Sequence, residues 1–139
     1  MKYVLDANVG LKTALPEADS DKAFGLIDAY QREVHELIAP DIYLVECGHA
    51  LTRAERRGLI LPPEGFEKMI LIATTRPKIY SHIPLLSRAF EISSSTRHGL
   101  YDCLCLALAE REGCQLITAD EKMALKFPNT ILLSSLSAS

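Results

Sequence analysis

Four carboxylates stand where they could do chemistry together. Asp6 follows the apolar triplet Tyr3-Val4-Leu5, Asp120 comes just after Leu116-Ile117-Thr118, Asp102 opens a long apolar run, and Glu46 stands inside another between Val45 and Cys47. Carboxylates that converge repel one another, so such a cluster is tolerable only where cations neutralise it. Oxygen-only donors suit Mg²⁺ or Mn²⁺ and are poor for zinc. One or two such ions can bind a phosphodiester, activate a water and stabilise the leaving oxygen. All four are candidate ligands for such an ion. Asn8 and Thr118 each lie two residues from an acid, where a hydrogen bond can orient it.

The elements that must position these acids follow from hydrophobic period and punctuation. Short apolar runs predict strands at 3–5, 37–39, 115–118 and 130–133, and a brief peripheral one within 78–83, cut short by Pro84. Apolar residues at helical spacing predict helices over 8–15, from Asp19 to about Glu36, and from Pro40-Asp41 to Arg57 with Gly58 as the stop. Further helices are expected from Pro62 until Pro77 closes the segment, over 85–97 with its second half weakened by Ser93-Ser94-Ser95-Thr96, over 101–112, and over 120–126. This alternation points to an α/β fold: a three-layer domain with a mainly parallel central sheet flanked by helices. The expected organisation is a single domain over 1–135 and a frayed C-terminal tail over 136–139. In open α/β sheets ligands bind beyond the carboxyl ends of the strands. Asp6 and Asp120 lie there, and Asp102 lies at a helix start, where the macrodipole favours an anion.

Each acid also fits a plainer role. Asp6, Asp102 and Asp120 precede helical patterns, as capping aspartates do. Glu46 could reach solvent or pair with Arg53 along its helix. Position alone leaves these alternatives open. The 139-residue chain has a formal net charge of −3, so it carries no overall basic footprint for nucleic acid, although a cation-binding site can be acidic. Local grip on a polyanion then falls to Arg53, Arg56 and Arg57, with Lys12 near the first corner, or these side chains are an ordinary solvated face. Cys47, Cys103, Cys105 and Cys114 lack zinc-like spacing and read as buried free thiols in a reducing cytoplasm. No stretch has signal-peptide or membrane-spanning character, and no Gly-rich phosphate loop is present.

Four segments, in order, resemble the PIN-domain ribonucleases, and more narrowly the VapC-type toxins of toxin–antitoxin pairs. They are Tyr3-Val4-Leu5-Asp6-Ala7-Asn8-Val9, Ala39-Pro40-Asp41 through Glu46 to Ala50-Leu51, Tyr101-Asp102 through Glu110, and Leu116-Ile117-Thr118-Ala119-Asp120. The resemblance implies a PIN-like fold, a catalytic set of Asp6, Glu46, Asp102 and Asp120 holding Mg²⁺ or Mn²⁺, and hydrolysis of RNA to a 3′-hydroxyl and a 5′-phosphate. It also implies inhibition by a cognate antitoxin protein and a homodimer. One departure is His49, where many relatives carry asparagine; it reads either as a satisfied structural histidine or as a contact to the site. Two other readings remain: a PIN-like module that binds RNA or protein without cutting, and a phosphate-handling enzyme with Asp6 as nucleophile. The second usually pairs that aspartate with another two residues on, where this chain has Asn8.

Overall fold

The strand residues divide themselves between two faces. In the computed structural model, which describes residues 1–137, Val4, Ile38 and Leu116 are buried on one side of a central sheet, and Leu5, Leu37, Ala39 and Ile117 on the other. Successive side chains of a strand point to opposite faces, so a sheet covered on both sides needs this unbroken apolar pattern. The elements run β1 (Lys2–Leu5), α1 (Ala7–Leu11), α2 (Ser20–Gln31), β2 (Glu36–Pro40), α3 (Tyr43–Arg56), α4 (Pro62–Thr74) and β3 (Lys78–Tyr80). They continue with a 3₁₀ turn (Ile83–Leu85), α5 (Leu86–Thr96), α6 (Leu100–Glu112), β4 (Gln115–Thr118), α7 (Glu121–Lys126), β5 (Thr130–Leu132) and a second 3₁₀ turn (Leu133–Ser135).

The sheet order is β3-β2-β1-β4-β5, and every neighbouring pair is parallel. Helices α1 to α4 cover the face of Leu5 and Ile117, and α5 to α7 cover the face of Val4 and Leu116. This is the expected three-layer architecture, with a wholly parallel sheet. From β1 the chain winds first toward β2 and later returns on the other side as β4. That reversal opens a crevice at the carboxyl ends of β1 and β4, the usual ligand position in such sheets. Helix α6 packs on β1, β2 and β4, and every residue from Cys103 to Ala109 is buried. Its lack of a polar face follows from that central position.

Several expected boundaries shift. The first helix, expected over 8–15, ends at Leu11, and Lys12 to Leu15 continue as turns. The helix expected to reach Glu36 ends at Gln31, because Glu33 adopts a left-handed conformation (φ 61°) and Val34 N–H closes back on the Ala29 carbonyl. That is a Schellman-type stop formed without glycine, and Glu36 instead begins β2. The third strand ends at Tyr80, and Ile83–Leu85 forms the 3₁₀ turn. The serine run is fully helical, since the Ser95 and Thr96 hydroxyls donate back to the Ile92 carbonyl at 3.3 and 2.6 Å. Of the tail expected over 136–139, Leu136 packs against the core, and positions 138 and 139 lie outside the described residues. Cys47, Cys103 and Cys105 are buried, Cys114 is half-buried, and all four are free thiols.

One close approach ties α1 to α3. A methyl group added at Gly10 would overlap the buried Tyr43 ring and hydroxyl. Gly10 lies four residues after Asp6, and Tyr43 three before Glu46, so this contact sets the spacing between two candidate ligands. G10A is therefore expected to destabilise the protein by about 1–3 kcal/mol, the usual range for overpacking, visible as a Tm several degrees lower. Y43F in the G10A background should recover part of the loss. An unchanged Tm in G10A would contradict this account.

Candidate active site

Asp6 ends β1 with 3% of its surface exposed. Its Oδ2 accepts from the Thr118 hydroxyl at 2.9 Å, and its Oδ1 faces the Asn8 N–H at 3.5 Å, which makes it the N-cap of α1. Thr118, wholly buried at the end of β4, accepts from Asn8 Nδ2 (3.3 Å) and from Asp120 N–H (3.1 Å). With its lone pairs so engaged, its single proton is directed to Asp6. Asn8 completes the tie by accepting the Ala119 N–H at 3.0 Å, and Asp6 N–H bonds the Ile117 carbonyl at 3.0 Å. The carboxyl ends of β1 and β4 are thus locked together, as the two corner positions suggested.

Asp120 is the N-cap of α7: its Oδ1 accepts from Lys122 and Met123 N–H at 2.9 and 3.3 Å. Asp102 is no cap. Gly99 holds that position, and Asp102 lies in the first turn of α6, where His98 Nε2 bonds its Oδ2 at 2.7 Å. Glu46, half-buried in the first turn of α3, makes no hydrogen bond or ion pair through its side chain among the described residues, and Arg53 does not reach it. It lines a cavity of about 380 Å³ with Ile42, Val45, His49 and Tyr101. A second cavity, about 360 Å³, joins Glu46 to Tyr101 and Asp102. A cavity of about 600 Å³ at the amino end of β3 contains no carboxylate and belongs to a different part of the surface.

The acids act on one another. Burial pushes the Asp6 carboxyl up to about 6, with a further rise from the charges of Asp102 and Asp120 that the Thr118 and Asn8 hydrogen bonds partly offset. Glu46 is pushed up to about 7, first by burial and then by Asp6 and Asp102. The donor set is oxygen only, and a hard divalent cation would relieve this repulsion. Among the described residues, no group of three or more His, Cys, Asp or Glu side chains already converges on a single ion position. Among the described residues, Asp120 Oδ2, Asp102 Oδ1 and both Glu46 oxygens make no hydrogen bond, so oxygens that could serve such an ion are to hand.

The remaining candidates lie further out. Lys12 pairs with Glu17 at 3.4 Å. Arg53, Arg56 and Arg57 are exposed at the far end of α3, roughly 10–16 Å along the helix from Glu46 at 1.5 Å per residue. His49 is not a buried structural histidine. It is exposed on the cavity wall, because three residues beyond Glu46 the helix surface faces outward. His98 was not among the residues singled out from sequence. Its contact depends on the left-handed turn at Arg97 (φ 59°), for which no sequence signal stands out.

Residues 3–126 match the PIN domain family. This chain belongs to the PIN-domain family. Within it the chain groups with VapC-type proteins: it is 32% identical over 132 residues to "Ribonuclease VapC3" of Pyrobaculum aerophilum, covering 92% of this chain and 96% of that one. The PIN fold is shared with the crystal structure of PAE2754 from Pyrobaculum aerophilum (TM-score 0.76, 21% identity, 97% of this chain and 85% of that one). It is also shared with VapBC2 from Rickettsia felis bound to a DNA fragment from their promoter (TM-score 0.67, 19% identity, 95% and 97%).

The PIN-domain acids carry a stability cost in the metal-free state. A carboxyl whose folded pKa is raised contributes stability below its unfolded pKa and loses it as pH rises through the folded value. For Asp6 that window runs from about 4 to about 6, and for Glu46 from about 4.5 to about 7. D6N, which can still accept from Thr118, should therefore raise the Tm of protein in EDTA at pH 8. The gain is on the order of 2–3 kcal/mol at 1.36 kcal/mol per pKa unit, and it should vanish near pH 4. Equal Tm differences at both pH values would refute this electrostatic account.

Proposed function

We propose that this PIN-domain protein is a metal-dependent endoribonuclease of the VapC type, the toxin of a toxin–antitoxin pair. The observation that carries the reading is the gathering of carboxylates at the switch point of the sheet, where burial and the neighbouring charges of Asp102 and Asp120 raise Asp6, and burial with Asp6 and Asp102 raises Glu46. The VapC3 relative's name as a ribonuclease supports the substrate class. Mg²⁺ or Mn²⁺ held there would supply charge for the scissile phosphate and an activated water. Asp6, Glu46 and Asp102 are the principal ligands in this reading. Asp120, with Oδ1 committed to α7, contributes its other oxygen through a water or to a second ion. Thr118 and Asn8 keep Asp6 aimed at the crevice. The products are a 3′-hydroxyl and a 5′-phosphate, a cut that needs no RNA 2′-hydroxyl as nucleophile.

Substrate grip follows the same helix. Arg53 and Arg57 stand seven and eleven residues after Glu46, within about 20° of its direction around α3 at 100° per residue, and neither is engaged in an ion pair among the described residues. They give an RNA strand leaving the acids a track of positive charge, with Arg56 beside them and Lys12 nearer the first corner. Association with a cognate antitoxin and with a second copy is supported by exposed apolar side chains on both outer layers. Val45, Phe66 and Ile70 lie on one, and Ile83, Leu86 and Phe90 on the other. The Klebsiella pneumoniae neighbour of the same fold is itself a toxin-antitoxin complex (TM-score 0.64, 14% identity, 94% of this chain and 97% of that one). No helix is long and apolar enough to cross a membrane among the described residues.

Purified protein should cut single-stranded or structured RNA with Mn²⁺ or Mg²⁺ and stop in EDTA. D6A, E46A and D102A should each lose roughly 100-fold or more, since hydrogen-bond partners of metal ligands alone are worth about 10–100-fold. D120A should lose less. Metal-independent RNA binding without cleavage, unaltered by D6A or D102A, would replace this reading with a binding module. R53A/R57A should raise KM while leaving kcat near wild type, and flatten the salt dependence of KM. A fall confined to kcat would remove these arginines from the substrate track.

A further inference from the structure

The three site aspartates share a pattern. Asp6 gives Oδ2 to Thr118, Asp120 gives Oδ1 to the first amides of α7, and Asp102 gives Oδ2 to His98. In each case a donor takes one oxygen strongly; the other oxygen is without a hydrogen bond among the described residues in Asp102 and Asp120, and in Asp6 it faces only the Asn8 N–H at 3.5 Å. The first two donors are rigid parts of the strand ends and helix start. The third is a side chain, so it is worth asking what holds it.

His98 is held on several sides. Its ring meets Phe127 edge-on at 5.2 Å and 86°, and its side chain is only 15% exposed. Its carbonyl accepts from the Ser93 hydroxyl at 2.5 Å and faces the Cys103 thiol at 3.8 Å, which fixes the backbone between α5 and α6. Arg97, left-handed at φ 59°, turns the chain so that His98 precedes the N-cap Gly99 and faces the first turn of α6. A carboxylate only accepts, so the hydrogen in the 2.7 Å contact lies on Nε2. A surface ion pair would lack this confinement.

We propose that His98 is a positioning residue for Asp102, holding one carboxylate oxygen so that the other is presented to the divalent cation beside Asp6 and Glu46. The inference rests on the metal-dependent reading above. The need for such a clamp comes from repulsion, because Asp6 and Glu46 both feel the Asp102 charge. Asp102 is half-exposed, so an unrestrained carboxylate there would swing toward solvent and away from the other two acids. Phe127 thereby enters the site indirectly, as the wall against which the imidazole rests.

The test is Mn²⁺ binding to the full chain at pH 7.5, measured by calorimetry and by the Mn²⁺ EPR signal, without RNA. Wild type is compared with H98A, H98F and H98Q, and the Tm of each in EDTA reports folding. H98A should bind Mn²⁺ roughly 10–100-fold more weakly, the usual loss for a ligand's hydrogen-bond partner. H98F, which keeps a ring against Phe127 without the donor, should be equally weak. H98Q, whose amide nitrogen can replace Nε2, should return to within a few-fold of wild type. If H98A fails to fold, the comparison of H98F with H98Q decides. Wild-type affinity in H98F, tighter binding in H98A, or no difference between H98F and H98Q overturns the positioning role alone. Absence of Mn²⁺ binding by the wild type overturns the metal reading and this inference with it.

Discussion

The hydroxyl of Thr118 is the contact on which the architecture of the site turns. It has one proton and two lone pairs, and all three are used: it accepts from Asn8 and from the Asp120 amide, and donates to Asp6. Four structural events meet there, the ends of β1 and β4 and the starts of α1 and α7. Valine would suit the strand as well as threonine does and fill nearly the same space. It would also leave an amide, a side-chain nitrogen and a buried carboxylate each short of a partner, and such orphaned groups cost about 1–3 kcal/mol apiece. A polar residue at a wholly buried strand end therefore serves through its directionality, and Asp6 takes its orientation from that hydroxyl.

Charge repulsion explains how the remaining acids are distributed. No single helix or strand carries two of them. Asp6 and Asp120 come from the ends of the central layer, Glu46 from α3 in one outer layer and Asp102 from α6 in the other. The cluster exists only while all three layers are assembled, which is why its members are scattered over more than a hundred positions of sequence. Each aspartate is restrained by a donor from its own surroundings, while Glu46 is restrained by none among the described residues. Glu46 is accordingly the acid of the four best able to adjust its geometry.

The strands and most helices were legible in the sequence because parallel strands buried on both faces leave continuous apolar runs, as 37–39 and 115–118 do. The end of α2 was not, since a left-handed glutamate at 33 carries no glycine signal, and the serine run misled because its hydroxyls bond within the helix. At the site, residue type and position singled out the four acids and their two corner partners. Sequence could not decide between cap and ligand for Asp6 and Asp120, because a carboxylate has two oxygens and capping need engage only one of them, as Asp120 Oδ1 does at the start of α7. His98 escaped notice because its reach to Asp102 is set by backbone conformation at Arg97, not by a spacing pattern.

Stability and chemistry pull against each other in this arrangement. Packing α1 on α3 at Gly10 and α6 on the sheet draws the carboxylates together and strips them of water, which raises Asp6 and Glu46 toward neutral pH. A sequence chosen for stability alone would place amides at these positions. Keeping the acids makes the folded state more strained as pH rises, and under the proposed metal-dependent reading a bound cation would relieve that strain. The same hydrogen bonds that keep the aspartates from splaying apart leave other carboxylate oxygens uncommitted, so in the proposed nuclease folding would already perform most of the organisation that catalysis requires.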